Sequence, residues 1–344
     1  MNGPRPIPWS WYSEPATLAL ERDRIFERSW QYVAHLGEVD RPGSYVARAA
    51  GHIPVAVVRD EEGVLRAFLN VCRHRGHEVV SGAGSRRTLQ CPYHAWTYGL
   101  DGALRAAPRS EREPGFDVGA LSLVRLHLDT WGQLIFVSAA AEPWPLAEVL
   151  EGIPQSLASG GIDLDTLVFD RRVEYEIEAN WKVVMENYLE CYHCPVAHPD
   201  FSKAVDVDPD SYVLEPGTWS SSQYASARDG DGLDVERGQF HFVWPNLRIN
   251  VFPGLPNLSI GPAFPTGPGK TSGFFDYFFA ESVSADEREE LIAFDAQVGR
   301  EDRALVESVQ RGMRSGLLDY GRLLPESEQL IAHFQTLVAE TLGQ

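Results

Sequence analysis

Cysteine is scarce in this chain: four occur in 344 residues, Cys72, Cys91, Cys191 and Cys194. A disulfide scaffold would need many more, so these four point to chemistry rather than cross-linking. Positive charge is also short, with 30 Lys and Arg against 49 Asp and Glu, a formal charge of -19. Such a chain is repelled on average by phosphate backbones and anionic lipid surfaces, which argues against nucleic acid and membrane partners. Apolar runs fall well short of the ~18 residues a membrane span needs. The opening MNGPRPIPWSWYSEP has no basic stretch leading into an apolar one. The expectation is a cytoplasmic protein. A Gly-rich dinucleotide fingerprint is missing too, because Gly82-Ala83-Gly84 has no helix behind it and reads as a turn. The chain is therefore not expected to take electrons from NAD(P)H itself.

What is present is globular material, 44% hydrophobic and 23% charged, enough for about two domains with cores of their own. Ser13 and Pro15 open an amphipathic helix to about Trp30, with Leu18, Ile25 and Phe26 on one side. From Gly43 to about Ser138 the pattern becomes short β-rich runs, punctuated by Gly, Pro and an Asp101-Gly102 hairpin signal. A helical piece near Pro145 to Leu157 follows, then a strand at Val168 to Ile177 and a helix capped by Asn180. Strand-like runs between Phe240 and Phe279 precede two closing helices, Ser284 to Met313 and Pro325 to Leu342. Polar Asp206 to Gly238 reads as a mobile loop. The fold class expected is α+β.

Two groups of residues carry chemistry. In the first, Cys72-x-His74 is followed after sixteen residues by Cys91-x-x-His94. Each half offers one thiol and one imidazole where a strand runs into a turn, so two loop tips can present both to one metal centre. A Cys2His2 zinc site usually keeps its cysteines in one knuckle and its histidines in the other. Mixed knuckles suit a [2Fe-2S] centre with Cys on one iron and His on the other.

The second group is Asn180 to His198, expected as a helix ending near Pro195. Glu186, Glu190 and His193, spaced four and three apart, then share one stripe of a helix that is apolar elsewhere. His198 lies just past the break, where it can come beside His193. A third ligand is expected from the helix beginning near Ser284. Asp302 fills the gap in its apolar stripe of Leu291, Phe294, Val298, Leu305 and Val309, and a carboxylate there needs a cation. Two His and one carboxylate form the facial triad of non-haem Fe(II), which leaves positions open for O2. Cys191-x-x-Cys194 could be a dithiol redox pair or, with His193 and His198, a zinc site.

Cys72-Arg73-His74-Arg75-Gly76 and Cys91-Pro92-Tyr93-His94-Ala95-Trp96 resemble the Rieske domain of ring-hydroxylating oxygenase alpha subunits, the Rieske non-haem iron oxygenases. Glu186-x3-Glu190-x2-His193-x4-His198 resembles the mononuclear iron segment of that family, and Glu301-Asp302 its third-ligand helix. The resemblance implies that Cys72 and Cys91 bind the inner iron of a [2Fe-2S] cluster and His74 and His94 the outer one. Gly76, Tyr93 and Trp96 take the packing positions, while His77 falls outside the pattern as a surface or supporting histidine. It further implies mononuclear Fe(II) held by His193, His198 and Asp302. Glu190 stands where the family places a bridging carboxylate, commonly Asp, and Cys191 and Cys194 become structural neighbours of His193.

The resemblance extends to architecture and partners. It implies an N-terminal helix in residues 1–40, a small all-β Rieske domain in 41–150 and a helix-grip catalytic domain with an antiparallel sheet in 151–344. It also implies a homotrimer and electrons from a separate NAD(P)H-dependent reductase, with or without a ferredoxin. Phe240, Phe242, Trp244, Asn246, Asn250 and Phe252 are candidate pocket walls, able to stack an aromatic ring or hold a quaternary ammonium. Glu301 to Ser315 leans toward the betaine or choline monooxygenase branch. Family outcomes include cis-dihydroxylation, monohydroxylation and demethylation of a small organic substrate. The alternatives are a Rieske electron carrier fused to a ligand-binding domain without oxygenase activity, and a zinc-stabilised binding module.

Overall fold

The structure, a computed structural model, describes residues 6–230 and 232–343; residues 1–5 of the opening segment and Asp231 of the expected loop lie outside them. The chain divides into two compact units, one running Phe26–Pro143 and the other joining the chain up to Ile25 with everything from Trp144 onward. The division thus falls before residues 40 and 150, where the sequence places it. Residues 31–35 form the first strand of the smaller unit's sheet rather than an N-terminal appendage.

The smaller unit is all β. Its strands are β1 (Gln31–His35), β2 (Ser44–Ala50), β3 (Ile53–Arg59), β4 (Leu65–Leu69), β5 (Gly82–Ser85), β6 (Thr88–Gln90), β7 (Thr97–Gly99), β8 (Leu104–Ala106), β9 (Arg125–Trp131) and β10 (Leu134–Ser138). One seven-stranded sheet has the order β1-β10-β9-β4-β3-β2-β5, and a second has β6-β7-β8. Val58, Phe68, Leu89 and Tyr98 fill the core beside Cys72 and Cys91. Asp101-Gly102 does join β7 to β8. Gly102 sits at φ +86°, and a Cβ there would fall 2.4 Å from the Phe68 ring, so the turn requires glycine. Gly82-Ala83-Gly84, expected as a turn, is instead strand β5, paired with β2. With no side chain at Gly84 the strand can lie over Tyr45, whose ring is 3.3 Å from where a Gly84 Cβ would be.

In the larger unit, helix α1 (Pro15–Arg24) ends earlier than expected, although Leu18 and Ile25 are buried as read. Two short helices, α2 (Leu146–Val149) and α3 (Ile153–Ser159), replace the single piece expected near Pro145, interrupted by Gly152 at φ +74°. The strands β11 (Leu167–Ile177), β12 (Val213–Pro216), β13 (Ser220–Ser226), β14 (Arg237–Val243), β15 (Leu247–Val251), β16 (Asn257–Gly267) and β17 (Lys270–Ala280) form one antiparallel sheet, ordered β11-β17-β16-β15-β14-β13-β12. The stretch expected to be a mobile loop therefore contains two sheet strands. Polar side chains of β13 find internal partners in its middle: Ser222 hydroxyl lies 2.8 Å from His241 Nδ1, and the Gln223 amide donates to the Tyr188 carbonyl. A buried strand as polar as β13 carries no apolar alternation to read.

The remaining helices are α4 (Trp181–Tyr188), α5 (Cys194–Ala197), α6 (Pro199–Ala204), α7 (Ala285–Met313) and α8 (Gln329–Leu342), the last starting later than Pro325. Ser284 and Glu287 form a capping box that starts α7. Leu291, Phe294 and Val298 of α7 pack against the cluster of Phe201, Phe240 and Phe252 over the sheet. Farther along, the predicted stripe fails: Leu305 and Val309 are exposed, while Val306 and Gln310 are buried. Steps of four from Phe294 follow the buried face through Val298, Asp302, Val306 and Gln310, so Asp302 keeps its inward position.

Candidate metal centres

Cys72 and Cys91 each open a loop with the same backbone pattern. Cys72 N–H donates to the His77 carbonyl and Gly76 N–H to Cys72 O, while Cys91 N–H donates to the Trp96 carbonyl and Ala95 N–H to Cys91 O. The fifth residue of each loop is in the left-handed region, Gly76 at φ +75° and Ala95 at φ +57°. These twin turns place both thiols inside the unit, buried and unlinked to each other, and both imidazoles outside. The His74 and His94 rings lie edge to face with centroids 4.5 Å apart.

Burial pushes the Cys91 thiol up, as does neighbouring Cys72, while the N–H groups of Tyr93 and His94 point at its sulfur and favour the thiolate. The Tyr98 hydroxyl is 3.4 Å from Cys72 Sγ. Two adjacent buried thiols surrounded by donors fit bridging to a metal, since thiolates without one would repel. Trp96 stacks on His74 at 4.9 Å, while Tyr93, expected at a packing position, is exposed against His94. His77 is an exposed residue, as read.

The second group assembles differently from its predicted helical stripe. Helix α4 ends at Tyr188, and Glu190 lies in the turn beyond it. The Glu190 carboxylate accepts from the N–H groups of Tyr192 and His193, local bonds that replace helix continuation. Glu186, still on α4, points the other way, accepting from Tyr12 Oη at 2.5 Å and Gln335 Nε2 at 3.0 Å. It belongs to the packing of the larger unit, not to the metal group. His193 ends the turn and His198 follows α5, whose start carries Pro195.

His193, His198 and Asp302 do converge. His193 Nε2 is 3.1 Å from His198 Nε2, and Asp302 Oδ1 is 3.0 Å from His198 Nε2 and 3.5 Å from His193 Nε2. Among the described residues this is the group of three His, Cys, Asp or Glu side chains able to hold one ion. Ligands about 2.1 Å from a metal and at right angles to one another lie about 3 Å apart, so the spacing fits three positions on one face of an octahedron.

Tautomers strengthen the case. His193 Nδ1 bonds Glu190, and His198 Nδ1 lies 2.8 Å from Glu301 Oε2. Both carboxylates hold a proton on Nδ1, leaving both Nε2 lone pairs aimed into one space; the Asn187 amide reaches His193 Nε2 only at 3.4 Å, and a cation between the two fits them better. Without metal that cation is a proton. Burial lowers His193, but hydrogen bonds to Asp302 and Glu190 outweigh it and push it up to about 9. His198 is raised in the same way. Burial would raise Asp302, yet the two imidazoles hold it below the usual carboxylate range.

Sequence reasoning missed Asn187, whose amide donates to Asp302 Oδ1 at 2.9 Å, and the role of Glu301, steadied by Gln297 at 3.1 Å. The signal for Glu301 was its place beside Asp302. Cys191 and Cys194 are disulfide-bonded to each other, and neither joins the metal-capable group, which overturns the zinc reading of that pair.

A cavity of about 110 Å³ reaches all three convergent side chains, and a second of about 240 Å³ shares Asp302, Asn187, Tyr188, Arg248 and Asp295 with it. Phe240, Asn250 and Phe252 line the first as expected. Phe242 and Trp244 do not, because they pack on Phe334 of α8. Asn246 donates to the Ala263 carbonyl instead. Burial raises Asp295 to about 6, against the Tyr277 hydroxyl bonded to it at 2.7 Å.

The ring hydroxylating alpha subunit (catalytic domain) family matches residues 164–344 and the Rieske [2Fe-2S] domain family residues 29–126. The chain belongs to the Rieske oxygenases. It is similar to the carnitine monooxygenase oxygenase subunit of Acinetobacter baumannii, 34% identical over 97% of this chain and 94% of the relative. Chloroplastic choline monooxygenase of Spinacia oleracea is 33% identical over 97% of this chain and 78% of its own. A crystal structure of the quaternary ammonium Rieske monooxygenase CntA superposes with TM-score 0.88 at 34% identity, covering 98% of this chain and 95% of that one. Naphthalene 1,2-dioxygenase of Rhodococcus sp., at 20% identity and TM-score 0.83, shares the fold. This Rieske oxygenase is an oxidoreductase whose cofactors are a [2Fe-2S] cluster and mononuclear iron, and it takes a substrate, O2 and electrons from a partner. No helix among the described residues is long and apolar enough to cross a membrane.

Proposed function

We propose that this Rieske oxygenase is the terminal component of a cytoplasmic monooxygenase that oxidises a quaternary ammonium compound, drawing electrons from a separate NAD(P)H-dependent reductase. The observation that carries the reading is one cavity whose wall holds His193, His198 and Asp302 on one side and the rings of Phe201, Tyr212, Phe240 and Phe252 on another. Ring faces attract a quaternary ammonium, which cannot donate hydrogen bonds, and hold its methyl groups beside the triad. The carnitine and choline monooxygenase relatives support this choice over an aromatic substrate.

The residues divide the work. Cys72, His74, Cys91 and His94 would hold the cluster, and His193, His198 and Asp302 the mononuclear iron. When bound, these groups supply single-electron transfer and reductive activation of O2. Glu190 and Glu301 keep the Nδ1 protons of His193 and His198 in place, so both Nε2 atoms stay free to ligate. Asn187 orients Asp302. The apolar rings exclude water from the space beside the triad. Glu190 would also reach a cluster histidine, and a homotrimer would bring that histidine from a neighbouring subunit; the CntA work describes inter-subunit electron transfer in that protein.

The test follows O2 uptake by the iron-loaded chain with a surrogate reductase, offered carnitine, choline and naphthalene. Substrate-dependent uptake with an ammonium compound and formation of an oxidised product is expected. Uptake with naphthalene alone would sink the substrate assignment, and an intact cluster with no uptake on any substrate would favour an electron carrier.

A further inference from the structure

We propose that Arg248 is the anion-binding residue of the cavity, and that the substrate is a betaine, a quaternary ammonium carrying a carboxylate, rather than choline. The inference rests on the quaternary ammonium reading above and narrows it. Arg248 lies in β15, where Leu247, Ile249 and Val251 point away into the core while Arg248 and Asn250 face the cavity. It lines both cavities beside Asp302.

A guanidinium cannot shed its charge in a protein, so one placed here needs an anionic partner. Among the described residues no side-chain carboxylate forms an ion pair with it in contact, and the Asp295 carboxyl acts on it only at longer range. The hydrogen bond of Arg248 runs from Nη2 to the Tyr175 hydroxyl, and Nε is buried with no acceptor. Asp295 shares the cavity, but it bonds the Tyr277 hydroxyl and forms no ion pair with Arg248. Ring faces hold the guanidinium in place, with Phe275 at 4.5 Å, Tyr175 at 5.3 Å and Tyr188 at 5.8 Å. The cation is therefore fixed in position with no carboxylate in contact and a buried Nε left without an acceptor, as a carboxylate-binding group should be. A substrate with its methylammonium end among Phe201, Tyr212, Phe240 and Phe252 can extend a carboxylate toward it through the same cavity.

The experiment uses the iron-loaded full chain with a surrogate reductase, comparing carnitine, γ-butyrobetaine and choline by O2 uptake, with carnitine and choline binding measured separately by calorimetry. The two carboxylates are expected to show KM values at least about 10-fold below that of choline. R248M should raise KM for carnitine by about 10- to 100-fold, weaken its binding by the same factor and leave choline little changed. R248K should recover part of the loss. If R248M melts below the assay temperature, R248K carries the test, and an unshifted carnitine KM overturns the assignment. A preference for choline, or unchanged carnitine binding in R248M, overturns the role of Arg248 and leaves the quaternary ammonium reading standing. If none of the three compounds binds or is consumed, that reading falls and this inference with it.

Discussion

The cluster loops and the triad are both two-part metal sites, yet they are built at different ranges. Cys72, His74, Cys91 and His94 come from two short turns with the same hydrogen-bond pattern inside one segment, and their imidazoles face outward. His198 and Asp302 are 104 residues apart, meet only through tertiary packing, and each imidazole is held by its own carboxylate. A site made of local turns depends on backbone geometry. A site made at long range depends on the side chains around its ligands.

Breaking each site should separate them cleanly. H198A is expected to lose one of about three irons per chain and reduce turnover at least about 1000-fold while the Rieske absorption persists; C91A should lose the other two and the colour. Iron analysis beside a visible spectrum checks both, and a loss of colour in H198A would show the sites are not separable. Next in size, E301Q should weaken mononuclear iron binding about 10- to 100-fold by replacing the charged acceptor at His198 Nδ1 with a neutral amide. Ferrous titration followed by iron counting measures this. E190Q, assayed at ferrous iron high enough that both metals are counted as bound, should stop turnover, since Glu190 is proposed to couple the two; an active E190Q removes it from that role. Y98F, which takes a hydroxyl from beside Cys72 Sγ, should lower the cluster's reduction potential, measured by redox titration.

The smallest effect concerns Glu186, which the sequence grouped with the metal residues. Burial raises its carboxyl from the ordinary 4.5 to about 7, against hydrogen bonds from Tyr12 and Gln335. Folding therefore favours the protonated form. Its contribution is fully present below pH 4.5 and is lost as pH rises through 7, on the order of a few kcal/mol in all. Melting curves of wild type and E186Q should diverge over that window without any change in iron content, and parallel curves would show that Glu186 does not titrate there.

Legibility followed the same division. The cluster ligands could be read directly because Cys-x-His and Cys-x-x-His each fall in one turn. The triad could be read as residue types, but a continuous helix was the wrong scaffold. Glu190 draws the N–H groups of Tyr192 and His193 out of α4, a side-chain competition that helical periodicity does not register. Arg248 passed unnoticed as one charge in a strand, since its meaning comes from Phe275, Tyr175 and the cavity, which only the fold brings together.

The long span between His198 and Asp302 has a mechanical side. An ion held at both ends would act as a clasp across a loop of about a hundred residues, its binding free energy offsetting the several kcal/mol of entropy that closing such a loop costs on folding. Stripping it should let the middle of α7 open first, read as faster amide exchange around Asp302 than at the capped end near Ser284.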